Sequence, residues 1–258
     1  MKSWPTKKSG KMKIEKLAKI FVKYRIYPPK CYKVTTPVNI FLKDFPDNYY
    51  SKDLKKFISF QDYDPEKRGA DLPWWGKHYF DERKEFRVMM VSQDSLSTDA
   101  GSIVLFAHLI SVIENPKQYE NYRRQLTLGN FSFTSWDTMK EILLQKWRLN
   151  PDFLYITDAS KVYNINSGDF DAELSQKLLE EEIEFCNPNL LILLGSAPLK
   201  LLNSHLQYKE IVESKKIIKI KGINCVVAPF PIGRGRTQKS FKKKIEIATK
   251  KIRACLKN

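Results

Sequence analysis

The sequence is poor in the residue types that build metal sites and disulfide frameworks. It has four cysteines and three histidines in 258 residues. No two cysteines are spaced as C-x-x-C, so an iron–sulfur cluster or a zinc knuckle would lack its ligands, and we expect free, mostly buried thiols. The histidines have no metal-ligand spacing either, which is typical of ordinary surface or core histidines. We therefore expect no metal and no other cofactor.

Long apolar runs and several catalytic motifs are also missing. No stretch approaches the roughly 18 uncharged apolar residues of a membrane-spanning helix, and the lysine-rich start lacks the apolar core of a secretory signal. The sequence has no Walker loop, dinucleotide-binding glycine pattern or nucleophile elbow, which argues against nucleotide hydrolysis, hydride transfer and esterase chemistry. We predict an intracellular protein, in the cytoplasm or at the nucleoid or nucleus, with no membrane partner.

Positive charge is abundant, and it is concentrated at the two ends of the chain. The formal net charge is +16. Residues 1–33 carry eleven lysines and arginines against one acid, residues 234–258 carry ten against one, and residues 34–233 have a net charge of −3. A basic side chain that meets a phosphate releases a condensed counterion, so this distribution indicates nucleic acid as the partner of a protein that we expect to be a monomer. The alternative is that both ends are solvated tails that maintain solubility.

Apolar runs alternate with helical patterns from residue 86 onward. Strands are predicted at residues 86–91, 153–156, 190–194 and 223–228. Helices are predicted over residues 14–24, 102–113 and 136–147, from Asp171 to Cys186, after Gly195, and after a cap at Thr237. This alternation predicts an α/β fold, a three-layer α/β/α sandwich with a central four-stranded parallel sheet. We divide the chain into a basic N-terminal helix with an irregular extension (1–85) and one α/β domain (86–258).

Polar residues stand at the end of each predicted strand. They belong to the segments SQDSL (92–96), YITD (155–158), LLGS (193–196) and APFP (228–231). Ligands of open parallel sheets bind in the crevice outside the carboxyl ends of the strands. The four segments therefore predict a single site at one edge of the sheet.

In this order, the segments SQDSL, YITDASK (155–161), NPNLLILLGSA (187–197) and APFP resemble motifs of the uracil-DNA glycosylase superfamily. That family carries a GQDPY or GExPG loop, an ITNxxK segment, a PxxIxxLGxxA segment and an HPS loop. The resemblance covers about residues 86–256 and is strongest over 153–200. It implies a DNA glycosylase-like hydrolase of altered base specificity. Such a protein flips a deaminated or modified base, uracil or a related base, out of DNA and excises it by hydrolysis of the N-glycosidic bond.

The first motif supplies a carboxylate. Base release passes through an oxocarbenium-like sugar, so an acceptor must orient water and stabilise positive charge near the anomeric carbon. The resemblance gives this catalytic role to Asp94. It makes Gln93 a base-binding residue through its backbone, and it places Leu96 where the family often has a tyrosine that excludes the thymine methyl group. The alternative for Asp94 is a loop aspartate that caps the following helix.

The second motif departs from the family, because Asp158 replaces its base-reading asparagine. The resemblance still makes Asp158 a catalytic and base-binding residue. An ionised Asp158 only accepts hydrogen bonds, so it suits an exocyclic amine, whereas a carboxyl group protonated by burial would donate to a carbonyl. Lys161 is expected to keep it ionised. The alternative is an aspartate that caps a turn after the strand.

The last motif departs as well, because Phe230 takes the place of the histidine that donates to the leaving base. A phenyl ring cannot donate, so an arginine of the GRGR segment (233–236) would have to supply the charge; alternatively Phe230 is a core or wedge residue. We expect phosphate contacts from the following residues: Ser92, Lys161, Ser196, Arg234 and Arg236. The competing hypothesis for the whole chain is a catalytically inactive glycosylase-fold module that binds DNA or another protein.

Overall fold

A computed structural model of the chain has a mixed α/β fold built on a six-stranded mixed sheet. It describes residues 68–70, 73–81, 84–94, 107, 138–160, 162–164, 172–231 and 238–257, and seven residues between 13 and 24.

The elements follow one another in an order close to the predicted alternation. The strands are β1 (Arg68–Ala70), β2 (Trp74–Trp75), β3 (Val88–Asp94), β4 (Leu154–Ser160), β5 (Val162–Asn164), β6 (Leu190–Leu194), β7 (Ile218–Ile220) and β8 (Ile223–Ala228). The helices are a π-helix (Glu141–Lys146), a 3-10 helix (Pro151–Phe153), α1 (Ala172–Cys186), α2 (Ser196–Leu202), α3 (Tyr208–Glu213) and α4 (Lys239–Cys255). The described residues between 13 and 24 are helical as well.

The main sheet has the strand order β2-β4-β3-β6-β8-β7. The four predicted strands are its middle strands and run parallel to one another, whereas β2 and β7 pair antiparallel at the two edges. The prediction of a four-stranded, purely parallel sheet was therefore incomplete. An edge strand of two or three residues is too short to produce a periodic pattern in the sequence. Strands β1 and β5 form a separate antiparallel pair.

Each face of the main sheet is covered by its own group of buried residues. Because side chains alternate along a strand, Met90 and Ile156 point to one face and Met89 and Tyr155 to the other. The first core cluster joins the Met90 face to the π-helix region and α4. The second core cluster joins the Met89 face to α1, α2, α3 and Leu17 of the N-terminal helix.

The four predicted strands and the helix from Asp171 to Cys186 are confirmed, whereas the helix predicted over 102–113 lies outside the described residues except for residue 107. The strands β6 and β8 and the helix α1 match their predicted ranges. Both β3 and β4 continue past their predicted ends, so Ser92 and Asp158 are strand residues. The alternative of Asp158 as a turn cap is therefore wrong. The predicted cap of α4 is also wrong, because the helix begins after Gln238.

Candidate functional site

The candidate site lies at the carboxyl ends of β4, β3, β6 and β8. The chain passes from β3 to its neighbour β4 on one side and then crosses to β6, the neighbour of β3 on the other side. At such a reversal of strand order the connections leave in opposite directions and open a crevice. The ends of β3 and β6 flank this point of the sheet.

A buried polar pair joins β3 to β4 at this edge. Ser92 stands opposite Asp158 in the parallel register, and the two residues are 0% and 1% exposed. The Ser92 hydroxyl donates a hydrogen bond to Oδ1 of Asp158. By alternation from Met90 and Ile156, both side chains lie on the face of the first core cluster. The carboxylate of Asp158 is thus held from the neighbouring strand, and the expected contact of Ser92 with a DNA phosphate is not supported because its side chain is buried.

The backbone of Asp94 lies at the same edge. Asp94 is the last residue of β3 and stands opposite Ser160, the last residue of β4. Its side chain lies outside the described residues, so its expected catalytic role and the alternative of a helix cap both stay predictions. Gln93, the preceding residue, is exposed at this edge. Asp94 therefore lies two register positions nearer the carboxyl ends of the two strands than Asp158 does.

A glycine turn closes the crevice at the end of β6. Gly195 has φ 86° and ψ −171°, a conformation that favours glycine because it lacks Cβ. Its amide donates to the carbonyl oxygen of Ala228 at 2.8 Å, which ties the end of β6 to the end of β8. Ser196, an expected phosphate contact, is exposed as the first residue of α2.

The remaining predicted site residues divide into one described residue and four that are not described. Phe230 is half-buried two residues after β8, and its ring packs against the first core cluster. This packing agrees with the alternative of a core residue and also places the ring on the same face of the sheet as Asp158. The residues outside the described part are Leu96, Lys161, Arg234 and Arg236.

Sequence reasoning missed a second buried carboxylate, that of Glu182. Glu182 of α1 is fully buried and accepts a 2.5 Å hydrogen bond from the Tyr155 hydroxyl. Burial, with the nearby charge of Glu182 as the next cause, raises the pKa of Tyr155 well above its usual value of 10 and keeps the phenol a donor. The position of Glu182 on the apolar face of α1, four residues after Leu178 and four before Cys186, is the sequence signal that indicates its burial.

The described residues contain neither a metal-binding cluster nor a helix that could cross a membrane. Among the described residues, no three His, Cys, Asp or Glu side chains are grouped closely enough to hold a metal ion. None of the helices in the described ranges is long and apolar enough to cross a bilayer.

No family model matches the chain, and no curated protein matches it. The functional interpretation therefore depends on the residues at the sheet edge and on the motifs that contain them.

Proposed function

We propose that the protein is a DNA glycosylase-like enzyme that flips a deaminated or modified base, uracil or a related base, out of DNA and hydrolyses its N-glycosidic bond. The observation that carries the proposal is the register of β3 and β4. It pairs Ser92 with Asp158 and Asp94 with Ser160, so two acidic residues stand at the carboxyl edge of adjacent parallel strands. This is the edge where ligands of such sheets bind.

The two acids have different tasks in the proposed reaction. Asp94 orients the attacking water and stabilises positive charge on the sugar as the bond to the base breaks. Asp158 faces the base, and its bond from Ser92 fixes the orientation of the carboxylate before the base arrives. Gln93 and Leu96 complete the base pocket together with Phe230, which supplies an apolar wall.

The fold and the partner belong to the same proposal. The two core clusters on opposite faces support the three-layer α/β/α arrangement of the uracil-DNA glycosylase superfamily. The basic ends of the chain support contact with DNA phosphates, and the proposal assigns further phosphate contacts to Lys161, Ser196, Arg234 and Arg236. A monomer acting on DNA would work inside the cell, in the cytoplasm or at the nucleoid or nucleus.

The test is abasic-site formation on a panel of oligonucleotides that carry uracil and other deaminated or modified bases. Cleavage after alkali is expected for at least one base with the wild-type protein and a loss of about 10²-fold or more with Asp94→Asn. The matched control is Asp152→Asn, which changes an acid at the opposite end of β4. A panel without any cleavage, or equal loss in both variants, would refute the proposal.

Phe230 favours a second candidate, the catalytically inactive module that binds DNA or a protein. Phenylalanine cannot donate to a departing base, so leaving-group stabilisation of the family type is absent at this position. This candidate expects salt-dependent DNA binding, no base release, and the same affinity for wild type and Asp94→Asn. Anisotropy measurements on the substrates used in the cleavage test separate the two candidates.

A further inference from the structure

A groove runs between the π-helix and α4, on the face of the first core cluster. Its volume is about 910 Å³. The floor is apolar and consists of Ile142, Phe241 and Ile245, whereas the rim carries basic side chains. The basic residues of the rim are Lys146, Lys242, Lys250 and Arg253.

Two hydrogen bonds join the walls of the groove at its Arg253 end. Trp147 Nε1 donates to the Thr249 hydroxyl at 3.1 Å, and Arg253 Nε donates to the carbonyl oxygen of Lys146 at 2.8 Å. These bonds hold the walls at a set distance from each other at that end. Binding in the groove would require little rearrangement of the backbone.

The basic residues of α4 divide into two groups by their neighbours. Lys244 pairs with Glu213 of α3, and Lys251 donates to the carbonyl oxygen of Ile211. Lys242 and Lys250 are exposed on the groove side, and within the described part of the chain no carboxylate lies within ion-pairing distance of either. They are eight residues apart, about 12 Å along the helix axis. Glu246 lies one helical turn from each of them, so a single carboxylate stands between two lysines.

The two acidic residues that line the groove cancel only part of the charge of its four basic residues. Glu141 is paired with Lys146 at 2.8 Å, which leaves Glu246 as the acidic residue on the α4 side of the rim. An apolar floor with an aromatic ring and a rim of separated cations is the arrangement that binds single-stranded nucleic acid, with bases on the floor and phosphates at the rim.

We propose that this groove binds a segment of single-stranded DNA outside the candidate active site. The proposal rests on the proposed function for the choice of DNA as the polyanion. Helix α4 follows the carboxyl end of β8 and packs on that strand, so Phe241 and Lys242 form the end of the groove nearer the candidate site. A strand leaving the site enters the groove at Lys242 and leaves it at Arg253.

The experiment measures binding of a fluorescein-labelled 20-nucleotide oligothymidine to the full chain by anisotropy at several salt concentrations. The double variant Lys242→Gln/Lys250→Gln is expected to bind about tenfold more weakly at low salt. Its slope of log K against log salt should be smaller by about 1.4, since each phosphate contact on a single strand contributes about 0.7. Lysine and glutamine have similar helix propensities, so α4 should keep its stability.

The matched control is Lys215→Gln/Lys216→Gln, which removes the same charge from two exposed lysines between α3 and β7. It should bind within about twofold of wild type. Glu246→Gln should tighten binding, because it removes a carboxylate from the rim. Equal weakening in the groove and control variants, or unchanged binding in the groove variant, would overturn the proposal.

An acidic amphipathic peptide is the other occupant that this chemistry would accept. If such a peptide binds the wild-type protein more tightly than oligothymidine does and depends on Lys242 and Lys250, the DNA assignment is wrong. Base release by enzyme in excess over the same panel of oligonucleotides as in the cleavage test separates the two proposals. Groove-dependent binding without base release contradicts only the glycosylase function, and base release with groove-independent binding contradicts only the groove.

Discussion

The Ser92 hydroxyl donates a hydrogen bond to Oδ1 of Asp158, and the two residues face each other across adjacent parallel strands. Both side chains are buried, so breaking this hydrogen bond would leave a donor and an acceptor without water to replace the lost partner. The loss therefore costs free energy. The bond positions Asp158 in the proposed reaction and also contributes to the stability of the sheet edge. The two contributions are measured separately.

Ser92→Ala is expected to lower the free energy of unfolding by about 1–3 kcal/mol, because the buried carboxylate of Asp158 loses this donor. Urea unfolding followed by circular dichroism measures the change. Ser196→Ala, which alters an exposed serine near the same edge, is the control and should stay within about 0.5 kcal/mol of wild type. Equal effects of the two substitutions would mean that the Ser92–Asp158 bond contributes nothing to stability.

The sequence predicts a strand or helix most reliably where its apolar residues form an unbroken run or a periodic face. The five apolar residues of β6 and the apolar face of α1 were predicted at their observed ranges, since hydrophobic periodicity or an apolar run marks each of them. The end of β4 was missed because Thr157 and Asp158 are polar, and a polar residue normally ends a buried run. Their burial depends on partners in other strands, which no local pattern reveals.

The pairing of Ser92 with Asp158 at the candidate site could not be predicted for the same reason. The sequence placed Ser92 and Asp158 at one sheet edge because each follows an apolar run. Their pairing requires the relative register of β3 and β4, and 59 residues separate the two strands in the chain. Nothing in either segment encodes that register by itself.

Gly76→Ala is expected to destabilise the protein by about 3 kcal/mol or more, because there is no room for a methyl group. A Cβ at this position would lie 1.9 Å from the Pro151 carbonyl oxygen and 2.6 Å from that of Asp152. The Gly76 amide also donates to the Leu154 carbonyl oxygen at 2.9 Å, so the backbone cannot retreat without losing that bond. The shift in urea midpoint measures the effect.

Gly222→Ala is the comparison for that substitution. Gly222 has φ 80°, and nothing lies within 4 Å of a Cβ built on it. Its cost is only the backbone strain of an alanine at positive φ, about 1–2 kcal/mol. A smaller loss at Gly76 than at Gly222 would show that the contact with Pro151 is relieved cheaply.

Tyr155→Phe is expected to cost about 2 kcal/mol of unfolding free energy. The ring stacks on Trp75 with 6.3 Å between centroids, and phenylalanine keeps this packing. The change therefore removes only the hydroxyl that donates to Glu182 in the interior. Tyr208→Phe, at a half-buried tyrosine of α3, should change stability by less than about 0.5 kcal/mol. Equal changes in both variants would contradict a stabilising Tyr155–Glu182 bond.

Leu17→Ala tests whether the N-terminal helix is part of the folded domain. Leu17 is 1% exposed and belongs to the second core cluster, so its truncation should cost about 2–5 kcal/mol through lost contacts and a cavity. Lys19→Ala changes an exposed position of the same helix and should be nearly neutral. If Leu17→Ala is also neutral, the helix does not contribute to the stability of the core.

We expect the buried Lys251 of α4 to make the free energy of unfolding vary with pH in the alkaline range. The residue is 5% exposed, and its ammonium group donates to the carbonyl oxygen of Ile211 at 3.4 Å. Burial lowers the pKa of Lys251 below its usual value of 10.5, since the charged form loses water. Between the folded pKa and 10.5 the unfolded chain holds a proton that the folded chain has released, so stability rises with pH in that window.

We expect the free energy of unfolding of wild type, measured relative to Lys251→Met, to be constant at lower pH and to increase as the pH approaches 10.5. Urea titrations at pH 7, 9 and 10.5 give this difference, and the other lysines and tyrosines cancel because both proteins contain them. Lys250→Met replaces the exposed neighbour and should show no such rise. A difference that stays flat or falls over this range would mean that the Lys251 ammonium group is as well solvated in the folded protein as in the unfolded chain.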